Sequence, residues 1–267
     1  MKSFTKILFP AITALGIGFL VYQGLIVKTI STMQMLMGLL LVAMLALSMY
    51  NASQNKGGKQ TTYREGYAEF IGDAFADDKK LEQKLYVALE NLGNKKYSAA
   101  IKRLDELLPL CRNDDERFTV HVFKGMAYSR DNEAGKAAES YKAALTYKES
   151  TTAYSNLGMC LSKTADLRGA EEMYLKAIEV DETNAYAHNN LAQLYIQFRD
   201  YPAALEHAMT AYQRNDRLLQ AVNAITICHG VMGNEEKFEL FYQLATKMGA
   251  NGKGLKEYIE ELKKEEA

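Results

Sequence analysis

Small residues recur along the chain at intervals of 33 and 34 positions. One series is Gly125, Gly158 and Ala192. Two alanine series keep the same spacing: Ala137, Ala170 and Ala204, then Ala144, Ala177 and Ala211. A repeat of this length is one supersecondary unit that cannot bury its apolar face alone, so neighbouring units must stack. The spacing therefore predicts a solenoid of stacked units.

The best-preserved unit covers residues 151–184. Its recurring side chains are Tyr154, Leu157, Gly158, Leu161, Ala170, Tyr174 and Ala177. This set resembles the signature of the tetratricopeptide repeat, with Tyr154 at the usual Trp position and Glu182 in place of a late Pro. The resemblance implies an all-α, right-handed helical solenoid in which each unit is a pair of helices.

Two neighbouring units keep the same pattern. Residues 185–218 retain Leu191, Ala192, Tyr195, Ala204 and Ala211. The unit before residue 151 retains Gly125, Tyr128, Ala137, Tyr141 and Ala144. Small residues at the helix crossing and large ones beside it keep the packing dense.

Partial units stand at both ends, over residues 81–111 and 219–248, and residues 112–116 are an insertion. Terminal repeats are expected to be atypical, because an end unit presents one face to water. We therefore expect about five helix pairs over residues 81–252 and a capping helix over residues 253–267. The apolar stripe of this capping helix is Leu255, Tyr258, Ile259 and Leu262.

Two apolar runs occupy the start of the chain. Residues 7–27 and 30–50 contain no charged side chain, and each run covers 21 positions. A helix of that length spans about 30 Å, the hydrocarbon thickness of a bilayer. One helix through both runs would hold Lys28 near its middle, at a cost of about 3 kcal/mol. The sequence therefore predicts a transmembrane helical hairpin over residues 1–50, with Lys28 at the turn.

Basic residues flank this hairpin at its two open ends. They are Lys2, Lys6, Lys56, Lys59 and Arg64. The positive-inside bias predicts a two-pass integral membrane protein whose large domain is cytoplasmic. The first run has no small-x-small cleavage site at its end, which favours a retained helix over a cleaved signal peptide. Loss of the first helix would still leave the large domain inside.

A polar stretch over residues 51–62 has the Ser, Gln and Gly content of a flexible linker. An amphipathic connecting helix is expected over residues 63–80, because aromatic and apolar side chains recur there at helical spacing. They are Tyr63, Tyr67, Phe70, Ile71, Ala74 and Phe75. The other face is acidic and would be repelled by anionic lipid. We expect the apolar stripe to pack on the first repeat or on a partner.

Composition and spacing argue against several classes of function. From Asn51 onward the chain carries 29 basic and 33 acidic residues, without the basic patch that nucleic-acid binding needs. Three widely spaced cysteines fit a reducing compartment better than a disulfide framework. His121, His188 and His207 lack metal-ligand spacing, and no phosphate-binding loop is evident. We predict a protein that is not an enzyme and uses no cofactor, metal or small-molecule substrate.

The remaining candidate site is the concave face, which the first helix of each unit lines in the family that the chain resembles. The polar side chains at these positions are Asn156, Tyr186, Asn189, Asn190, Gln193 and Asn223. A row of amides can pair with both the N–H and the C=O groups of an extended peptide, whatever its side chains. The alternative is that these amides only face water. Carboxylate-clamp members of the family carry Lys and Arg on this face, where this chain has Ser155, Met159, Asn189 and Gln193.

Two classes of function stay open. One is a membrane-anchored adaptor or scaffold that binds a protein or peptide partner at the cytoplasmic face and holds a segment of it in the concave groove. The other is a structural subunit of a membrane complex, in which the hairpin makes the specific contacts and the solenoid braces it. Removing residues 1–50 separates them, because only an adaptor would still capture its partner.

Overall fold

The computed structural model describes residues 71–266 of the chain. The predicted hairpin over residues 1–50, the linker over residues 51–62 and most of the connecting helix over residues 63–80 lie outside this range. The described residues form α-helices and one 3₁₀ turn, with no strand among them. None of these helices is long and apolar enough to cross a bilayer.

Eleven α-helices follow one another in the described part of the chain. They are α1 (Lys79–Gly93), α2 (Tyr97–Leu107), α3 (Asp114–Arg130), α4 (Ala134–Leu145), α5 (Thr151–Lys163), α6 (Leu167–Val180), α7 (Ala185–Gln197), α8 (Tyr201–Arg214), α9 (Leu219–Val231), α10 (Glu235–Lys247) and α11 (Gly252–Glu266). A 3₁₀ turn, Leu108–Leu110, follows α2. Each odd-numbered helix from α1 to α9 packs against the even-numbered helix that follows it, which makes five pairs.

The pairs stack into two layers. Each even-numbered helix also packs against the first helix of the next pair, and α5, α7, α9 and α11 contact one another in turn. Odd-numbered helices therefore form one layer and even-numbered helices the other. This confirms the expectation of an all-α solenoid of about five helix pairs with a final capping helix.

The turn inside each pair has the same backbone conformation in all five. One residue in each turn has a positive φ, between 60° and 71°. These residues are Lys95, Asn132, Ala165, Arg199 and Gly233. The N–H of the next residue then donates to the carbonyl oxygen five residues earlier, as in a Schellman helix end. The repeated turn fixes how each second helix folds back on the first.

The crossing inside the third pair depends on a glycine. A Cβ atom at Gly158 on α5 would lie 2.7 Å from the Tyr174 ring of α6, so only glycine lets the ring cover this point. Gly125 is covered by the ring of Tyr141 in the same way. The fourth pair has Ala192 and Ala208 at the equivalent positions, and both are fully buried. A glycine with a large ring, or two alanines, fills the same crossing.

The first pair is covered by the segment that precedes it. Residues 71–74 are helical and residues 75–77 form a turn, so the connecting helix does not continue through residue 80. Ile71 and Phe75 are fully buried in the apolar cluster that also contains Leu85 of α1. In this part the apolar stripe packs on the first repeat, as the sequence predicts.

The last pair is covered by α11. Ile259 and Leu262 are buried in the same cluster as Cys228 of α9. Gly230 allows this approach, because a Cβ atom there would lie 2.9 Å from Ile259 Cδ1. Tyr258, predicted to share the buried stripe, is exposed instead. At 100° per residue it lies beyond Leu262, at the edge of the face that α9 covers.

Candidate functional site

The candidate site lies on the sides of α5, α7 and α9 that are turned away from their paired helices, here called the groove face. On α7, Leu191 and Ala192 are fully buried. Tyr186, Asn190 and Gln193 lie on the opposite side of that helix, at about 100° per residue. Tyr186 is 60% exposed, whereas Asn190 and Gln193 are half-buried. These three predicted site residues therefore share one accessible face.

The two neighbouring helices continue this face. Asn156 on α5 occupies the same repeat position as Asn190 and is also half-buried. Asn223 on α9 is half-buried at the position equivalent to Asn189. Asn189 itself, predicted to line this face, is only 6% exposed and is packed within the fold. It lies about 100° around α7 from Asn190, on the flank of the groove face.

The fold does not use the amide groups of this face. Within residues 71–266, the five predicted amide side chains make no hydrogen bond with another group of the protein. They are Asn156, Asn189, Asn190, Gln193 and Asn223. Asparagines elsewhere are engaged differently, since Asn184 accepts from the backbone N–H groups of Tyr186 and Ala187 at the start of α7. The amides of the groove face retain their hydrogen-bonding capacity.

Two of these amides have a buried oxygen. The Oδ1 atoms of Asn189 and Asn223 are buried, and neither has a hydrogen-bond partner in the described part of the chain. A buried acceptor without a partner costs about 1–3 kcal/mol. Because both atoms are buried, a bound molecule could reach either of them only if the surrounding side chains moved. A buried acceptor without a partner among residues 71–266 thus recurs at equivalent positions of two successive helix pairs.

The helices that carry the groove face contain almost no charged side chains. Helices α7 and α9 contain no Asp, Glu, Lys or Arg, and α5 contains only Lys163, in its last turn. A partner at this face therefore meets amides, hydroxyl groups and apolar surface rather than charge.

The other reactive side chains of residues 71–266 form no metal site. Within residues 71–266, no group of three or more His, Cys, Asp or Glu residues could hold a metal ion. The three cysteines are buried and free, and burial raises the pKa of the Cys228 thiol to about 12. A thiol that stays protonated is a poor nucleophile.

One contact is not predicted by any pattern in the sequence. The Nδ1 atoms of His188 on α7 and His207 on α8 are 3.1 Å apart, although the residues are 19 positions apart. Tyr195 stacks on His207, and its hydroxyl donates to Glu171 Oε1 at 2.9 Å. Burial is the main reason that the pKa of Tyr195 is raised to about 12. No sequence signal marks this cluster, because its members come from three different helices.

Parts of the chain are similar in sequence to known tetratricopeptide-repeat proteins. Two family models described as tetratricopeptide repeat match residues 151–184 and 173–206. A TPR repeat-containing protein of Methanocaldococcus jannaschii is 31% identical over 107 residues, which are 40% of this chain and 18% of that relative. The chain thus carries tetratricopeptide repeats and matches under a fifth of that relative's length.

Solved structures share the fold at low sequence identity. BtubC from P. vanneervenii has a TM-score of 0.59 at 19% identity, covering 71% of this chain and 90% of that one. YrrB, described as a TPR protein with an unusual peptide-binding site, has a TM-score of 0.53 at 16% identity, covering 72% and 97%. At these identities the likeness supports the solenoid fold alone.

Proposed function

We propose that the chain is a membrane-anchored adaptor or scaffold that holds an extended segment of a protein partner along the groove face of α5, α7 and α9. The observation that carries this proposal is the set of five amide side chains that the fold leaves without hydrogen bonds within residues 71–266. Amides left free at repeated positions are suited to the repeating N–H and C=O groups of an extended backbone.

The near absence of charged side chains on these helices defines the kind of segment that fits. A phosphorylated, strongly acidic or C-terminal segment would lose hydration at this face without gaining a cationic partner, which is unfavourable. An internal segment with few charges loses less hydration free energy when it binds at this face. YrrB, which shares this fold, is described as having a peptide-binding site, and this supports the same class of ligand here. Backbone pairing then supplies the affinity, and Tyr186 supplies an exposed aromatic surface beside it.

The membrane part of the proposal comes from the sequence. The apolar runs over residues 7–27 and 30–50 have the length of bilayer-spanning helices, and the basic flanks favour a cytoplasmic solenoid. A short polar linker over residues 51–62 would let the solenoid reach partners near the membrane surface. If the full chain binds its partner but a chain without residues 1–50 does not, the solenoid is a brace and the hairpin makes the specific contact.

The test of the groove is a double replacement, Asn156→Ala with Asn190→Ala. Both side chains are half-buried and make no hydrogen bond within residues 71–266, so the fold should be unaffected. Each lost bond to a partner's backbone is worth about 0.5–1.5 kcal/mol. The affinity for a partner recovered by cross-linking from native membranes should therefore fall roughly five- to 150-fold.

The matched control is Lys163→Ala with Arg168→Ala. These side chains are exposed near the turn between α5 and α6, outside the amide row. Losing two charges there should leave capture of a neutral backbone nearly unchanged. Wild-type affinity in the double asparagine variant would reject the groove as the binding site.

A further inference from the structure

The histidine pair of His188 and His207 joins α7 to α8 beneath the groove face. His188 is 7% exposed, and His207 is half-buried. Their Nδ1 atoms are 3.1 Å apart, their ring centroids are 5.4 Å apart, and the two ring planes are 29° from parallel. Tyr195 stacks on His207 with a centroid distance of 5.7 Å. The pair is therefore largely covered by Tyr195 and by the packing of α7 against α8.

The surroundings determine which nitrogen carries hydrogen. His188 Nε2 lies 3.2 Å from the backbone oxygen of Glu182. A carbonyl oxygen only accepts, so Nε2 of His188 must donate. Neutral His188 then has its lone pair on Nδ1. His207 must donate its own Nδ1–H to that lone pair, which leaves the lone pair of neutral His207 on Nε2.

This arrangement accepts one additional proton but not two. The first can bind at His207 Nε2 without disturbing the bond between the two Nδ1 atoms. The second would bind at His188 Nδ1 and set two N–H groups against each other at 3.1 Å. Because His188 is buried, its ring cannot turn away without moving the first turns of α7.

Few charges are available to offset a proton on the pair. Glu206 on α8 acts on His207 and favours its charged form, but burial and the neighbouring His188 outweigh it and lower the pKa of His207. Glu171 on α6 faces the cluster through the Tyr195 hydroxyl, to which its carboxylate is bonded. The two helices that pack against α8, which are α7 and α9, contain no Asp, Glu, Lys or Arg.

We propose that the histidine pair is an acid-sensitive latch: a second proton breaks the His188–His207 bond and loosens the first turns of α7. Those turns carry Tyr186, Asn189 and Asn190. The role of these residues in binding rests on the function proposed above. The latch itself does not depend on that function. The folded pair has room for fewer protons than two histidines of an unfolded chain, because two N–H groups cannot face each other at 3.1 Å, and burial and His188 lower the pKa of His207. Its stabilising contribution is therefore present above about pH 6.5 and is lost as the pH falls below it.

The first test is the hydrogen position at pH 7.5, read from ¹⁵N-histidine NMR of the full chain in detergent. We expect His188 to carry its proton on Nε2 and His207 to carry its proton on Nδ1. If His207 carries its proton on Nε2 instead, the bond between the Nδ1 atoms is absent and the latch is rejected. This result needs no variant and no partner.

The second test is backbone hydrogen exchange of the full chain at pH 7.5 and pH 5.5, corrected for intrinsic rates. The probe is residues 185–193 of α7, and residues 151–163 of α5 are the internal reference. The open state of α7 can bind the second proton, whereas the closed state cannot. Between pH 7.5 and pH 5.5 this difference lowers the protection of the backbone amides about tenfold. In wild type we expect protection of the probe to fall about tenfold relative to the reference.

The replacement His207→Gln should abolish this selective fall. Its amide can donate to neutral His188 or, after rotation, accept from protonated His188. The control is His121→Gln, which removes a half-buried histidine of α3 outside the pair and should keep the fall. An equal fall in wild type and His207→Gln would overturn the latch. The groove would then still be judged separately, by the asparagine variants.

Discussion

Adding one methyl group at Gly158 should destabilise the solenoid. The new Cβ would lie 2.7 Å and 2.8 Å from two carbon atoms of the Tyr174 ring and 3.1 Å from the backbone oxygen of Ala170. Tyr174 is itself buried in the core of the third pair, so its ring has little room to withdraw. One of the two helices must shift to accept Gly158→Ala.

Two effects of opposite sign set the magnitude. Overpacking of this kind costs about 1–3 kcal/mol, while alanine is favoured over glycine inside a helix by about 1 kcal/mol. The net loss is therefore up to about 2 kcal/mol. Gly135→Ala, on α4, is the matched control, since nothing lies within 4 Å of the new Cβ. That variant should show only the stabilising effect, at most about 0.5–1 kcal/mol because Gly135 lies in the first turn of α4.

Chemical denaturation of the full chain measures both variants. The midpoint should fall for Gly158→Ala and rise for Gly135→Ala. Tyr174→Ala alone should cost about 3–5 kcal/mol through the cavity it leaves. Adding Gly158→Ala should then recover part of that loss, because two alanines already fill this crossing at Ala192 and Ala208. Equal shifts for the two glycine variants, or strict additivity with Tyr174→Ala, would refute this description of the crossing.

Two further predictions concern the repeat register and the membrane topology. Ala170 is fully buried at the same crossing, so Ala170→Leu should cost about 1–3 kcal/mol, whereas Glu172→Leu on an exposed site should change the unfolding midpoint far less. Equal midpoints would contradict the register. Single cysteines at Thr29 and Lys59 should be labelled by an impermeant reagent on intact cells only at Thr29, and labelling only at Lys59 would reverse the predicted orientation.

The repeat is the part of the fold that sequence predicts best. Small residues recur at the positions of Gly158 and Ala170 because a helix crossing excludes larger side chains. This steric requirement produces a periodic pattern in the sequence. The turns produce no comparable pattern of residue types. Lys95, Ala165 and Arg199 have a positive φ although none is a usual turn residue. The Schellman hydrogen bonds and the packing of the pair impose that conformation, and neither is visible in the local sequence.

The candidate site is predictable only in outline. The repeat position of Asn156 and Asn190 follows from the register, and both have the accessible placement that it implies. The burial of Asn189 does not follow, because it depends on how closely the odd-numbered helices approach one another. The contact between His188 and His207 depends in addition on the rotation of α8 against α7. Such quantities are set by packing across the layers and not by spacing along the chain.

Site-specific photo-cross-linking in native membranes tests the proposed groove most directly. A photoreactive phenylalanine analogue replaces Tyr186 on the groove face or, as the control, Tyr258 on α11; both tyrosines are exposed, at 60% and 40%. We expect a partner adduct at position 186 that is absent at position 258 and is lost when Asn156→Ala and Asn190→Ala are added. An adduct of equal yield at both positions, or one at position 186 that survives the asparagine replacements, would contradict capture of a partner by the groove.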